Sequence, residues 1–222
     1  NGYRTALIGK WHLGYLQKHH PMNFGFQKFV GFKSGNVDYQ SHRNRYGDVD
    51  WWDGLEMKNM PGYTTTLLTT LSEDYIKENK DKPFCLYIAH AAPHSPMQGP
   101  NEKAIRTEAT LEGDKNSDRP NKEIYKDMVE ELDWSVGRIL ETLKKYKLDK
   151  NTFVVFFSDN GPVINNGGST GGYRGAKGAP WEGGHRVPGI CYMPGTVKGG
   201  TMCKQTVMSF DLFPTMLDMA NI

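Results

Sequence analysis

Five apolar residues in succession, 153–157 (FVVFF), run directly into Ser158, Asp159, Asn160 and Gly161. An unbroken β-branched and aromatic run predicts a strand buried on both faces, as in a parallel sheet flanked by helices. Residues 84–89 (FCLYIA), just after Pro83, predict a second buried strand. Residues 189–193 (GICYM), between Pro188 and Pro194, predict another, and residues 5–8 a short one near the start. Helical periodicity is clearest over 121–147, where Ile124, Met128, Leu132, Val136, Ile139, Leu140 and Leu143 recur at spacings of three and four. A second helix is predicted over 64–80, with Leu67, Leu68, Leu71, Tyr75 and Ile76 on one face. A third spans 209–220, capped by Ser209 or Asp211 with Pro214 in its first turn. Residues 19–63, rich in aromatics, glycine and asparagine, predict long loops, and 99–120 an exposed polar excursion. The pattern predicts one α/β domain with a mostly parallel central sheet flanked by helices.

In such sheets ligands bind beyond the carboxyl ends of the strands, so residues leaving each predicted strand are the first candidates for chemistry. Asp159 and Asn160 are hard oxygen donors of the kind Ca²⁺ or Mg²⁺ prefers; Asp-Asn-Gly is also a common strand-ending turn. The glycine-rich loop that follows carries Arg174 and Lys177, and a cation beside a lysine suits a substrate rich in anionic oxygens. Lys10 and His12, leaving the first strand, share a face if the segment is extended, which sets an ammonium beside an imidazole. A solvated lysine and a histidine packed on Trp11 is the competing reading. His94 sits between Pro93 and Pro96, and rigid placement is what a proton donor needs; a surface-turn histidine would look the same. Ser34, Asn36, Asp38 and His42 are polar candidates for substrate contacts within the predicted loops, though surface polarity explains them as well.

Charge narrows the picture. The 222 residues carry 27 Lys and Arg against 25 Asp and Glu, a net charge of +2 that points to neither nucleic acid nor membrane. No apolar run approaches the roughly 20 residues that span a bilayer. Cys85, Cys191 and Cys203 lack metal-ligand spacing, and the first two, lying in apolar runs, read as small core residues. The chain opens on Asn-Gly-Tyr without a methionine and reads as an internal piece of something longer, so the absence of a targeting signal proves nothing.

Taken together, these blocks resemble one family. Residues 2–12 (GYRTALIGKWH) resemble a signature of the sulfatases, in the alkaline-phosphatase-like superfamily. The resemblance continues through Ala92-Pro93-His94-Ser95-Pro96, Ser158-Asp159-Asn160-Gly161, Arg174-Gly175-Ala176-Lys177-Gly178, Glu182-Gly183-Gly184 and residues 209–217 (SFDLFPTML). It implies an alkaline-phosphatase-like fold and hydrolysis of sulfate esters, of sulfated sugars by family habit. It implies Asp159 and Asn160 as ligands of a divalent cation, usually calcium, with magnesium as the alternative. Lys10 matches the lysine on the sulfate, His12 the histidine beside the nucleophile, His94 the proton donor to the leaving alcohol, and Lys177 the lysine that neutralises sulfate and leaving oxygen. By the same resemblance the compartment is periplasmic, secreted or lysosomal. The family nucleophile is a formylglycine made in a C/S-x-P-x-R motif. No such motif occurs here, and in the family it precedes the G-K-W-H block, so it is expected upstream of this chain, with the remaining metal ligands. A smaller carboxy-terminal domain is expected beyond it. Two rivals stay open: a phosphoryl-transfer relative, and a sulfatase-like binding protein without a nucleophile.

Overall fold

The computed structural model describes residues 2–108 and 117–222, so residues 109–116 of the predicted excursion lie outside the described residues. The chain divides into two compact bodies. One comprises residues 2–142 with 163–169, the other 143–162 with 170–222.

The first body is built on β1 (Arg4–Lys10), which lies between β2 (Lys28–Phe32) and β5 (Phe84–Ala89) and pairs parallel with both. Two short strands, β3 (Trp52–Asp53) and β4 (Glu56–Met57), extend the sheet antiparallel beyond β2, in the order β4-β3-β2-β1-β5. The parallel centre agrees with the α/β expectation. β2 does not agree with the reading of 19–63 as loops. KFVGF is short and broken by Gly31, so it carries no periodicity, yet Phe29, Val30 and Phe32 are core residues. The same segment buries Tyr39 and Trp51, and stacked contacts join Phe32 to Trp51 and Tyr39 to Tyr63.

Two helices flank this sheet, α1 (Thr64–Asn79) and α2 (Asn121–Lys145). Leu68, Tyr75 and Ile76 of α1 are buried as predicted, but so are Thr64, Thr65, Thr69 and Ser72. The hydroxyls of Thr69 and Ser72 donate to the carbonyls of Thr65 and Leu68 one turn back, which makes them tolerable inside. With its own proton on Thr65, the Thr69 oxygen accepts from the Ser135 hydroxyl at the buried face of α2 (2.6 Å). β5 is not buried on both faces. Phe84 and Leu86 pack on the core while Cys85 and Tyr87 are exposed, so Cys85 is no core residue. The described part of the 99–120 excursion is also less exposed than expected, since Arg106 is buried.

The second body holds β6 (Val154–Phe157) and β7 (Gly189–Tyr192), an antiparallel pair in register from Val154↔Tyr192 to Phe157↔Gly189. The FVVFF run is therefore a half-exposed strand of a two-stranded ladder rather than one sealed on both faces. Cys191 on β7 is likewise exposed, which corrects its reading as core. A single helical turn, α3 (Glu182–His185), and α4 (Leu212–Met219) complete this body. Pro214 lies in the first turn of α4, and Asp211 accepts from the Met208 amide just ahead of it. No helix among the described residues is long and apolar enough to cross a membrane.

Candidate functional site

The candidate residues fall into two sets, one in each body. In the first body, Lys10 ends β1 and His12 follows it, while His90 and His94 follow β5. Parallel pairing of β1 and β5 brings these departures to one end of the sheet. β1–β2 pairing continues past the strands, because Trp11 and His12 donate their amides to the carbonyls of Phe32 and Lys33 (2.9 and 3.2 Å). His12 has φ +56, a left-handed conformation uncommon for a residue with a side chain. Such an outlier is held by its surroundings and motivates a functional reading.

His94 is fixed from two sides. The Tyr39 hydroxyl donates to its carbonyl oxygen at 2.9 Å. Its Nδ1 lies 2.8 Å from the Ser95 carbonyl oxygen. A carbonyl only accepts, so Nδ1 carries the proton in that bond and Nε2 is the nitrogen that exchanges one.

The loop after β2 is a hydrogen-bonded scaffold. The buried Asp50 carboxylate accepts from the amides of Lys33 and Ser34 (3.2 and 2.8 Å) and from Trp52 Nε1 (2.7 Å). Asp38, fully buried, accepts from four amides, those of Gln40, Ser41, Ile105 and Arg106. Burial alone would raise its carboxyl, but those four donors outweigh it and hold the pKa below its usual value. Ser34 donates to the Asn36 carbonyl, and Asn36 Oδ1 accepts from Arg106 (2.9 Å). Burial pushes His42 down to about 4, and its ring lies 4.3 Å from that of Trp51. The contacts of Ser34, Asn36, Asp38 and His42 therefore hold the loop itself. Tyr39 and Asp50, which no sequence motif marks, anchor the segments around His94 and His12. Their partners lie 55 and 16 residues away, beyond any local pattern.

In the second body, Asp159 and Asn160 follow β6. Asn160 Nδ2 donates to the Gly161 carbonyl, which leaves Oδ1 as the amide atom available to a cation. A carboxylate and an amide oxygen are the donor chemistry of a hard divalent ion. Among the described residues no group of three or more His, Cys, Asp or Glu is arranged to hold a metal. The turn is knitted to its neighbours by backbone. Gly161 N donates to Gly184 O, Lys177 N to Pro162 O, and Gly183 N to Arg174 O, at 2.8, 3.0 and 2.8 Å. The approach is so close that a Cβ on Gly161, Gly183 or Gly184 would meet the carbonyl oxygen of Gly183, Gly175 or Ala179 respectively. Arg174 lies over the Trp181 ring at 3.8 Å.

Mouse (Mus musculus) arylsulfatase J is 33% identical over 229 residues, covering 99% of this chain and 37% of its own length. Human (Homo sapiens) N-acetylgalactosamine-6-sulfatase is 32% identical over 237 residues, covering 100% of this chain and 43% of its own. A crystal structure of Ps i-CgsB in complex with k-i-k-neocarrahexaose superposes with TM-score 0.84 at 30% identity, over 100% of this chain and 51% of that one. The PsFucS1 sulfatase from Pseudoalteromonas sp. follows at TM-score 0.74 and 25% identity, over 100% and 48%. The chain thus spans about two fifths of the length of its sequence relatives and about half of the structural ones. These neighbours share the sulfatase form of the alkaline-phosphatase-like fold. Residues 1–222 in full match the sulfatase family, and the chain belongs to that family.

Proposed function

We propose that this chain is the central part of the catalytic domain of a sulfuric ester hydrolase that acts on sulfated sugars. The observation that carries this is the departure of Lys10 and His12 from β1 and of His94 from the adjacent parallel β5, within a chain that matches the sulfatases throughout. Lys10 binds the sulfate oxygens, and Lys177 neutralises the charge that grows on the bridging oxygen as its bond to sulfur lengthens. His12 serves the side of the sulfuryl group nearest the nucleophile. His94 holds a proton at Nε2 and gives it to the alcohol oxygen as the S–O bond breaks, while Nδ1–H on the Ser95 carbonyl keeps the ring oriented. Asp159 and Asn160 hold a divalent cation, calcium before magnesium. Calcium takes 6–8 oxygens, so the other ligands come from outside these two residues. That cation supplies positive charge at the sulfate, and a formylglycine outside this chain supplies the nucleophile. The sugar preference follows the N-acetylgalactosamine-6-sulfatase relative and the neocarrahexaose bound to the structural neighbour.

The test is the leaving-group dependence of His94→Ala in the full-length protein. A sugar alkoxide is too basic to depart unaided, whereas nitrophenolate departs readily. Hydrolysis of a sugar sulfate is expected to fall about 10²–10⁴-fold, and that of nitrophenyl sulfate far less. Equal losses on both would remove His94 from the acid role.

A further inference from the structure

We propose that Gly35 is a positioning residue for His12, a place where the absence of a side chain lets the imidazole lie in its working position. The inference rests on the role given to His12 above. A Cβ built on Gly35 would stand 2.6 Å from His12 Nε2 and 2.8 Å from Cε1, contacts that real Cβ atoms do not make. One of the two must then move, and the surroundings decide which. Gly35 sits between anchored neighbours. Ser34 is held through its amide by the buried Asp50 carboxylate, and Asn36 through its side chain by the buried Arg106. The backbone of His12 is tied to the same strand end by its amide on the Lys33 carbonyl. The atoms that the Cβ would meet are the far end of a side chain that turns about two single bonds, and such an end shifts at lower cost than backbone. Gly35→Ala therefore displaces the ring and leaves the loop in place. Gly35 does not lie in the left-handed region, so alanine brings no backbone strain there. Loss of function without loss of fold is the signature this arrangement predicts.

The experiment is a double-mutant cycle in the full-length protein, with a sulfate ester as substrate and thermal unfolding as the control. Gly35→Ala is expected to lower kcat roughly 10²-fold, the scale of a misplacement of about 1 Å in a catalytic group, with an unchanged unfolding midpoint. His12→Ala is expected to lower kcat at least as far. The decisive variant carries both changes. If Gly35 acts through the imidazole, the pair loses no more than His12→Ala alone, because the group the new methyl would displace is gone. Losses that multiply would mean that Gly35 acts elsewhere and would overturn the proposal. So would a Gly35→Ala enzyme with wild-type turnover, or one whose unfolding midpoint falls in step with its activity. Wild-type turnover in His12→Ala would instead strike the reading of His12 itself, and the proposal would fall with it.

Discussion

At the scale of single residues, two histidines share a left-handed backbone but differ in their surroundings. His12 is exposed and left-handed, so its cost is in the backbone: a Cβ at such a φ is disfavoured by about 1–2 kcal/mol, and only glycine escapes the penalty. In urea unfolding, His12→Gly is therefore expected to be more stable than His12→Ala by about 1 kcal/mol, while both lose the imidazole equally. Equal stabilities would show a relaxed backbone at this position. His42 is left-handed as well (φ +55), and because it is buried it carries a second cost, in the charge. Burial pushes its pKa to about 4 against 6.5 for a free imidazole, and the unfolded chain binds the extra proton first. Stability is then full above about pH 6.5 and falls as the pH drops from about 6.5 towards 4, by up to roughly 3 kcal/mol from this residue. His90, also pushed down to about 4 by burial, acts in the same direction over the same window. Asp38, held low by its amides, adds to the loss only below about pH 4. Urea midpoints measured from pH 7.5 to 4.5 are expected to decline, and His42→Phe, which keeps a ring but cannot take a proton, to decline less steeply. A variant with the same slope as the parent would mean that His42 is not neutral in the fold.

At the scale of elements, two close glycine contacts differ in what would have to give way. A Cβ at Gly35 meets the tip of a side chain, but at Gly161 or Gly184 it meets backbone carbonyls that cannot yield without moving a neighbouring loop. Gly161→Ala and Gly184→Ala are expected to cost about 1–3 kcal/mol, as overpacking does, and to free the Lys177 loop from the Asp159 turn. Unchanged urea midpoints in both variants would show that these loops are looser than their hydrogen bonds suggest. How much of this was legible in the sequence differs from element to element. β5, α1, α2 and β7 announce themselves by apolar runs or by spacings of three and four, and they lie where expected. β2 stayed hidden because five residues with a glycine among them have no period to detect. The Thr and Ser face of α1 stayed hidden because those hydroxyls satisfy themselves on the preceding turn, which no hydrophobicity pattern records. For FVVFF the run identified a strand but not its neighbours, since burial depends on what pairs with it. The candidate catalytic residues were reached by family motif. The work of Asp38, Asp50 and Tyr39 was not reached, because each spends its polar atoms on backbone distant in sequence.

At the scale of the molecule, the path of the chain matters as much as its contacts. Residues 163–169 lie in sequence within the second body but belong to the first, where Gly167 comes so close to Lys122 at the start of α2 that a Cβ would stand 2.8 Å from the Lys122 Cα. The polypeptide accordingly passes from one body to the other at 142/143, returns at 162/163 and leaves again at 169/170. A gene cut after Thr142 would yield a first product missing a stretch that packs on it, and a second product carrying that stretch without its support. Neither half would be a finished piece, so such a gene is better dissected by co-expression of overlapping fragments than by a single stop codon.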